Sequence, residues 1–177
     1  MISHDIHIHT HISSCSSDPE ATPENYIKRA KELGIEVIGF SDHFWALAVE
    51  GASDWYRPQN FEHIMQTKNM RPEDTLGIKV LIGCETEYCG GGKIGISPET
   101  AEKLDFVLVP ISHVHMKGFT IPSWINAPED VARTMVQYFK DVTEFDFVTG
   151  IAHPFYPLGY ENVDEIVSCI SDEEFME

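Results

Sequence analysis

Positive charge is what this sequence has least of. Its 177 residues carry 12 Lys and Arg against 29 Asp and Glu, a formal net charge of −17. Duplex binding draws much of its affinity from Lys and Arg displacing counterions, so a broad surface for a nucleic-acid backbone is not expected. A small phosphorylated ligand is still compatible, because metal cations reverse the local sign. Long apolar runs are missing too. None approaches the ~18 to 20 residues of a membrane span, and the N-terminus opens on MISHDIHIHT without a basic stretch or an apolar signal core. The cytoplasm is the expected location. Cys15, Cys84, Cys89 and Cys169 lack CxxC spacing and read as thiols rather than a disulfide framework. There is no Ser/Gly-rich linker, no low-complexity tract and no Walker-type GxxxxGK[ST] loop. A hydrophobic content of 42% over this length buries one core of ordinary size, so residues 1–177 are expected to form one domain.

What the chain does have is alternation. Asp5–His9, Glu36–Ser41, Lys79–Glu85, Phe106–Ser112 and Phe147–His153 read as strands. Helices fill the gaps. Pro23-Glu24 opens the first, whose apolar face (Tyr26, Ile27, Ala30, Leu33) stops at Gly34; the others are expected at Phe61–Met70, Pro98–Leu104, Pro128–Phe139 and Val163–Ile170. Strands separated by helices imply parallel βαβ units with right-handed crossovers, hence an α/β sheet or barrel.

The strand ends carry the chemistry. They read DIHIHT, GFSDHF, GCETEY, ISHVHM and GIAHPF, so every apolar run terminates in His or Glu. In an α/β barrel the carboxyl ends of the strands share one face, where the active site is built. Strand residues two apart point to the same side, which pairs His7 with His9, Glu85 with Glu87 and His113 with His115. Imidazole nitrogen and carboxylate oxygen suit zinc, iron and manganese, and a carboxylate can bridge two ions. A lone histidine such as His4 or His63 is most often a surface or hydrogen-bonded residue, and neither is assigned. The joint set of His7, His9, His43, Glu85, His113 and His153 is different, because clustered imidazoles without a metal repel one another when charged and are poorly satisfied when neutral. His11 stays open. Glu87 suits an orienting role beside the ligands, as does Asp5 by accepting an imidazole N–H. Asp42 alternates away from His43, which favours packing or hydrogen bonding. Ser41 and Thr10 read as donors or simple caps.

Taken together, HIHT at His7–Thr10, SDH at Ser41–His43, ETE at Glu85, SHVH at His113 and AHP at His153 resemble the polymerase-and-histidinol-phosphatase (PHP) family of metal-dependent phosphoesterases. The resemblance implies a distorted (β/α)7 TIM-like barrel with two or three divalent ions, zinc, manganese or iron, at its C-terminal face. On this chain His7 and His9 would bind the first ion, Glu85 would bridge the first and second, His113 and His153 would complete the second, and His43 would serve the third. His113 is preferred over His115 because it comes first after the apolar run, which leaves His115 beside the ligands.

The sequence departs from the family pattern twice. Where many members have another histidine eight residues after the first of the HxH pair, this chain has Cys15, which reads either as a ligand of the third ion or as an unrelated thiol. The family also closes its site with a late Asp-x-His, and none follows His153; Ser171 with Glu174 instead reads as a capping box opening a new helix. Only about five βα units are accounted for. The expectation is a C-terminally incomplete PHP domain, either a fragment or one whose open edge is covered by a partner chain or oligomer.

The implied reaction is hydrolysis of a small phosphomonoester, histidinol phosphate or a nucleotide phosphate among others, by metal-activated water with no separate catalytic side chain. Arg57 is the candidate for substrate contact, with Trp45, Trp55 and Tyr56 either shaping the pocket mouth or packing. The Gly90-Gly91-Gly92-Lys93 run reads as a flexible turn or a phosphate contact. Two rival readings remain: an amidohydrolase-type metal hydrolase, which also begins with HxH, and a degenerate, non-catalytic metal-binding domain.

Overall fold

The alternation of strands and helices is present in the structure, a computed structural model that describes residues 3–170. The capping box expected at Ser171 and Glu174 lies outside the described residues. The fold is α/β with parallel sheets, and the chain divides into two units, Met1–Thr86 with Gly95–Leu108, and Glu87–Ile94 with Val109–Glu177.

In the first unit, β1 (His4–Ile8) leads through α1 (Pro23–Leu33) to β2 (Val37–Phe40), followed by β3 (His43–Phe44), α2 (Phe61–Met70), β4 (Lys79–Ile82), β5 (Cys84–Thr86), α3 (Pro98–Ala101) and the start of β6 (Val107–Pro110). α1 keeps its expected bounds for local reasons. The Thr22 side chain caps the Asn25 N–H, Pro23 occupies the first turn, and Gly34 closes the helix in the left-handed conformation at φ 71°. β1 pairs with β2 and β2 with β4, all parallel, and Ile8, Ile27, Ala30, Ile38, Phe40, Ile78 and Ile82 pack as one core around them. β3 pairs with β5 and β5 with β6, again parallel.

One expected strand, Lys79–Glu85, breaks where the sequence suggested continuity, and the strand expected at Glu36–Ser41 is followed by a second, short one. The run from Glu36 ends at Phe40 and resumes at His43 as β3, and the run from Lys79 is cut at Gly83. Gly83 has a steric reason: a Cβ there would stand 2.5 Å from the Phe106 carbonyl oxygen and 2.6 Å from its ring. α3 is shorter than expected, ending at Ala101.

In the second unit α4 (Pro128–Thr143) runs past its expected end, because Val142 prolongs the buried face of Val131, Met135 and Tyr138. β7 (Gly150–Ala152) and α5 (Val163–Ser168) follow. Val114, Ile121, Val131, Ala132, Met135 and Ile166 form this unit's core. The Gly90–Gly92 run is a tight turn with all three glycines at positive φ, closed by a Tyr88–Ile94 bridge and by hydrogen bonds between Cys89 and Lys93 and between Lys93 and Gly90. No helix among the described residues is long and apolar enough to cross a membrane.

Candidate metal centre

The pairing of β1 with β2 slips register between Asp5 and Ile8. A bulge of this kind re-aims side chains, and here it leaves the Nε2 atoms of His7 and His9 3.2 Å apart. Glu85, on β5 and 1% exposed, lies between them, with Oε1 3.3 Å from His7 Nε2 and Oε2 3.1 Å from His9 Nε2. β3 places His43 directly beside Glu85 in the parallel register, so that His43 Nδ1 stands 3.2 Å from Oε2. One buried carboxylate thus meets three imidazoles delivered by two other strand ends.

The surroundings fix these rings. The Ser13 hydroxyl is 3.2 Å from His9 Nδ1 and accepts the His43 backbone N–H at 2.9 Å, which turns His9 Nε2 toward Glu85. Tyr56, fully buried, brings its hydroxyl within 3.3 Å of His43 Nδ1, and the Trp55 ring lies edge-on to His43 at 4.9 Å. Asp42 faces away from the imidazoles, as its alternation implied. It accepts from Thr10 N–H at 2.7 Å, from the Thr10 hydroxyl at 3.1 and 3.0 Å and from the Thr67 hydroxyl at 2.6 Å. Ser13, Thr67 and the Tyr56 hydroxyl were not assigned from sequence. Single polar side chains in turns, or on a helix as Thr67 is, carry no periodic signal that would have found them.

The pocket favours positive charge. Burial opposes a charge on His9, but hydrogen bonds to Cys15 and Glu85 and the Glu85 charge outweigh it and push the pKa up to about 10. The ligand atoms of His7, His9 and Glu85 lie within 4.8 Å of one another, as do those of His9, Cys15 and His43. Imidazole nitrogens around a shared carboxylate are the donor set that zinc, iron and manganese take, so these residues fit such a cation.

The second unit places His113 and His153 together, their ring centroids 4.8 Å apart. His113 is buried and its Nδ1 stands 2.5 Å from Glu87 Oε1. The Ser112 hydroxyl donates to the His153 carbonyl at 2.9 Å and lies 2.7 Å from His153 Nδ1, whose proton it can accept. Both contacts use Nδ1, the arrangement that leaves Nε2 as the ligating nitrogen in metal proteins. His153 has φ 29°, a conformation non-glycine residues rarely adopt. His115 is exposed, and its pKa is lowered by partial burial of the ring and by His113.

Other residues go elsewhere. Asp5 accepts the His7 backbone N–H at 3.1 Å, an i to i+2 contact that competes with the expected imidazole contact. The His11 ring contacts the Ala21 carbonyl, and the His63 ring the Ile12 carbonyl. Arg57 is exposed and paired with Asp54 at 3.1 Å; it lines a cavity of about 330 Å³ with Trp45, Leu47, Val49 and Glu50, a lining that does not include the imidazoles or Glu85. Trp45 is buried and donates to the Val49 carbonyl at 2.8 Å.

Known proteins resemble this chain. A protein of Clostridium acetobutylicum that bears the name "probable phosphatase" is 25% identical over 174 residues, 97% of this chain and 62% of its own length. The chain thus spans less than two thirds of that relative. A crystal structure of histidinol phosphate phosphatase from Lactococcus lactis subsp. lactis, complexed with zinc, L-histidinol and phosphate, superposes with a TM-score of 0.55 at 22% identity, over 95% of this chain and 67% of that one. That likeness establishes the fold. The sequence profile of the PHP domain matches residues 5–175, nearly the whole length, and the chain belongs to the PHP domain family.

Proposed function

We propose that this chain carries the metal centre of a phosphoesterase that hydrolyses a small phosphomonoester. The observation that carries the reading is Glu85, a buried carboxylate held at 3.1 to 3.3 Å by His7, His9 and His43. The family match and the phosphatase relatives support the reaction class. A divalent cation held by these donors would supply Lewis acidity, lowering the pKa of water toward neutrality and offsetting phosphate charge.

The chain's own residues hold and orient. Glu85 and the imidazoles present lone pairs, Ser13 and Tyr56 fix the rings of His9 and His43, and Asp42 locks the two turns that carry them. His113 and His153, steadied by Glu87 and Ser112, are proposed to serve a second ion. This assignment, a total of two or three ions, and their identity as zinc, manganese or iron belong to the proposal and are supported by the family match. So is the closure of the strands into a distorted barrel. A substrate of the histidinol phosphate kind is the first to try, since the Lactococcus lactis enzyme was crystallised with L-histidinol and phosphate. The thiols of Cys15, Cys84, Cys89 and Cys169 are free, in keeping with a reducing compartment.

The test is an assay of the purified, metal-loaded chain against phosphomonoesters, amides and lactones, with metal content measured in parallel. Phosphomonoester hydrolysis that falls at least about 100-fold in Glu85→Gln, together with loss of bound metal, supports the reading. Turnover of amides or lactones alone refutes it.

A further inference from the structure

The turn after β1 places a thiol among the metal donors. Cys15 is exposed, and its Sγ lies within 4.8 Å of one ring nitrogen each of His9 and His43. The turn is fastened: Ser13 N–H donates to Thr10 O at 3.1 Å, Ser16 N–H to Ser13 O at 2.9 Å, and Ser14 N–H to the buried Gln59 Oε1 at 3.0 Å. Ser13 then links the turn to the His9 imidazole and to the His43 backbone N–H. Tetrahedral zinc holds sulfur and nitrogen ligands about 3.5 Å apart, and an exposed thiol has room to adjust to that spacing.

A ring nitrogen binds one ion, and His9 Nε2 already faces His7 and Glu85. We propose that Cys15, as a thiolate, and His43 ligate a metal position beside the His7, His9 and Glu85 set, and that Cys15 sets the metal preference of the centre. On binding, the thiol gives its proton to solvent and the sulfur becomes a soft anionic donor. Such a donor favours zinc or ferrous iron over manganese, which prefers oxygen. This inference rests on the metal centre proposed above but not on its phosphatase activity.

Cobalt(II) separates the two. The metal-free, reduced chain is titrated with cobalt and followed in the near ultraviolet, where a cobalt–thiolate bond absorbs strongly and a cobalt–imidazole bond does not. The wild type is expected to show that band and Cys15→Ser to lose it, while cobalt still binds at the imidazole and carboxylate donors. Zinc–manganese competition read by metal analysis is expected to shift by at least about tenfold toward manganese in Cys15→Ser and in Cys15→His. Cys15→His is expected to restore the bound-metal count without the band. A wild type without the band overturns the inference, and so does a band that survives in Cys15→Ser or an unchanged competition. Equal thermal melting of the metal-free proteins establishes that the variants fold. If the band behaves as expected and no phosphomonoester is hydrolysed, the function reading falls and this one stands.

Discussion

Replacing Asp42 by alanine is expected to weaken the first unit and loosen its metal donors together. The Asp42 carboxylate is 1% exposed and takes the Thr10 N–H and the Thr10 and Thr67 hydroxyls. A hydrogen bond to a charged group contributes about 1.5–3 kcal/mol, and a buried donor left without a partner costs about 1–3 kcal/mol. Against this, the alanine variant no longer buries a carboxylate, which recovers several kcal/mol. The net expectation is a loss of about 3 kcal/mol for Asp42→Ala, comparable to breaking a buried pair. Asp42→Asn keeps the shape and one acceptor oxygen, and the rotatable threonine hydroxyls can turn to accept from the new amide, so about 1 kcal/mol is expected. Urea unfolding of the metal-free chain measures both. Because Thr10 follows His9 and Asp42 precedes His43, the alanine variant is also expected to lose about 10- to 100-fold in zinc affinity. A loss under about 0.5 kcal/mol with unchanged zinc binding would refute the role assigned to this carboxylate.

Gly83→Ala forces a methyl group against the Phe106 carbonyl and ring, and a cost of about 1–3 kcal/mol in urea unfolding is expected. In the second unit, burial and the hydrogen bond to Asp141 push the Tyr88 pKa up to about 12. Its neutral form is thus favoured by folding, so the stability it contributes is complete below pH 10 and is lost as pH rises through about 12. Tyr88→Phe is expected to flatten that alkaline decline in a pH series of unfolding curves. Chelation is expected to lower the melting temperature: a metal at about 100 times its Kd stabilises by about 2.7 kcal/mol, which for a chain of this size is about 5–10 °C. An unchanged melting temperature after dialysis against chelator would contradict metal binding.

The sequence made the elements legible where short-range rules act alone. Thr22, Pro23 and Gly34 bound α1 as written, and Asn60, whose side chain caps Glu62 and His63, starts α2 at Phe61. α4 outran its expected end because periodicity fades before Val142, which tertiary packing nevertheless buries. Among the site residues, those that end apolar strands stood out, since a His or Glu there breaks the expected pattern. Ser13 and Thr67 did not, and Tyr56 stood out only as an aromatic of the pocket mouth or packing, because each acts across a distance in sequence that no local pattern records: Ser13 on His43, Tyr56 on His43, Thr67 on Asp42. Asp5 stood out, but its neighbouring backbone N–H took its side chain.

The least legible features are the ones that bring the donors together. β2 pairs with β1 and β4, and after the break at Ser41 and Asp42, β3 pairs with β5, the continuation of the β4 segment. Gly83 makes the matching break on the neighbouring segment, where the Phe106 backbone approaches too closely for any side chain. The register carries through both breaks, from Phe40 beside Ile82 to His43 beside Glu85, and hydrogen bonds from Gly83 N–H to Phe40 O and from Glu85 N–H to Asp42 O span them. Asp42 occupies one break and uses its carboxylate to pull in Thr10, and with it His9. The residues that interrupt the strands therefore do more than terminate them. They convert three ligand-bearing segments, each ordinary in isolation, into one set of nitrogens around a single carboxylate.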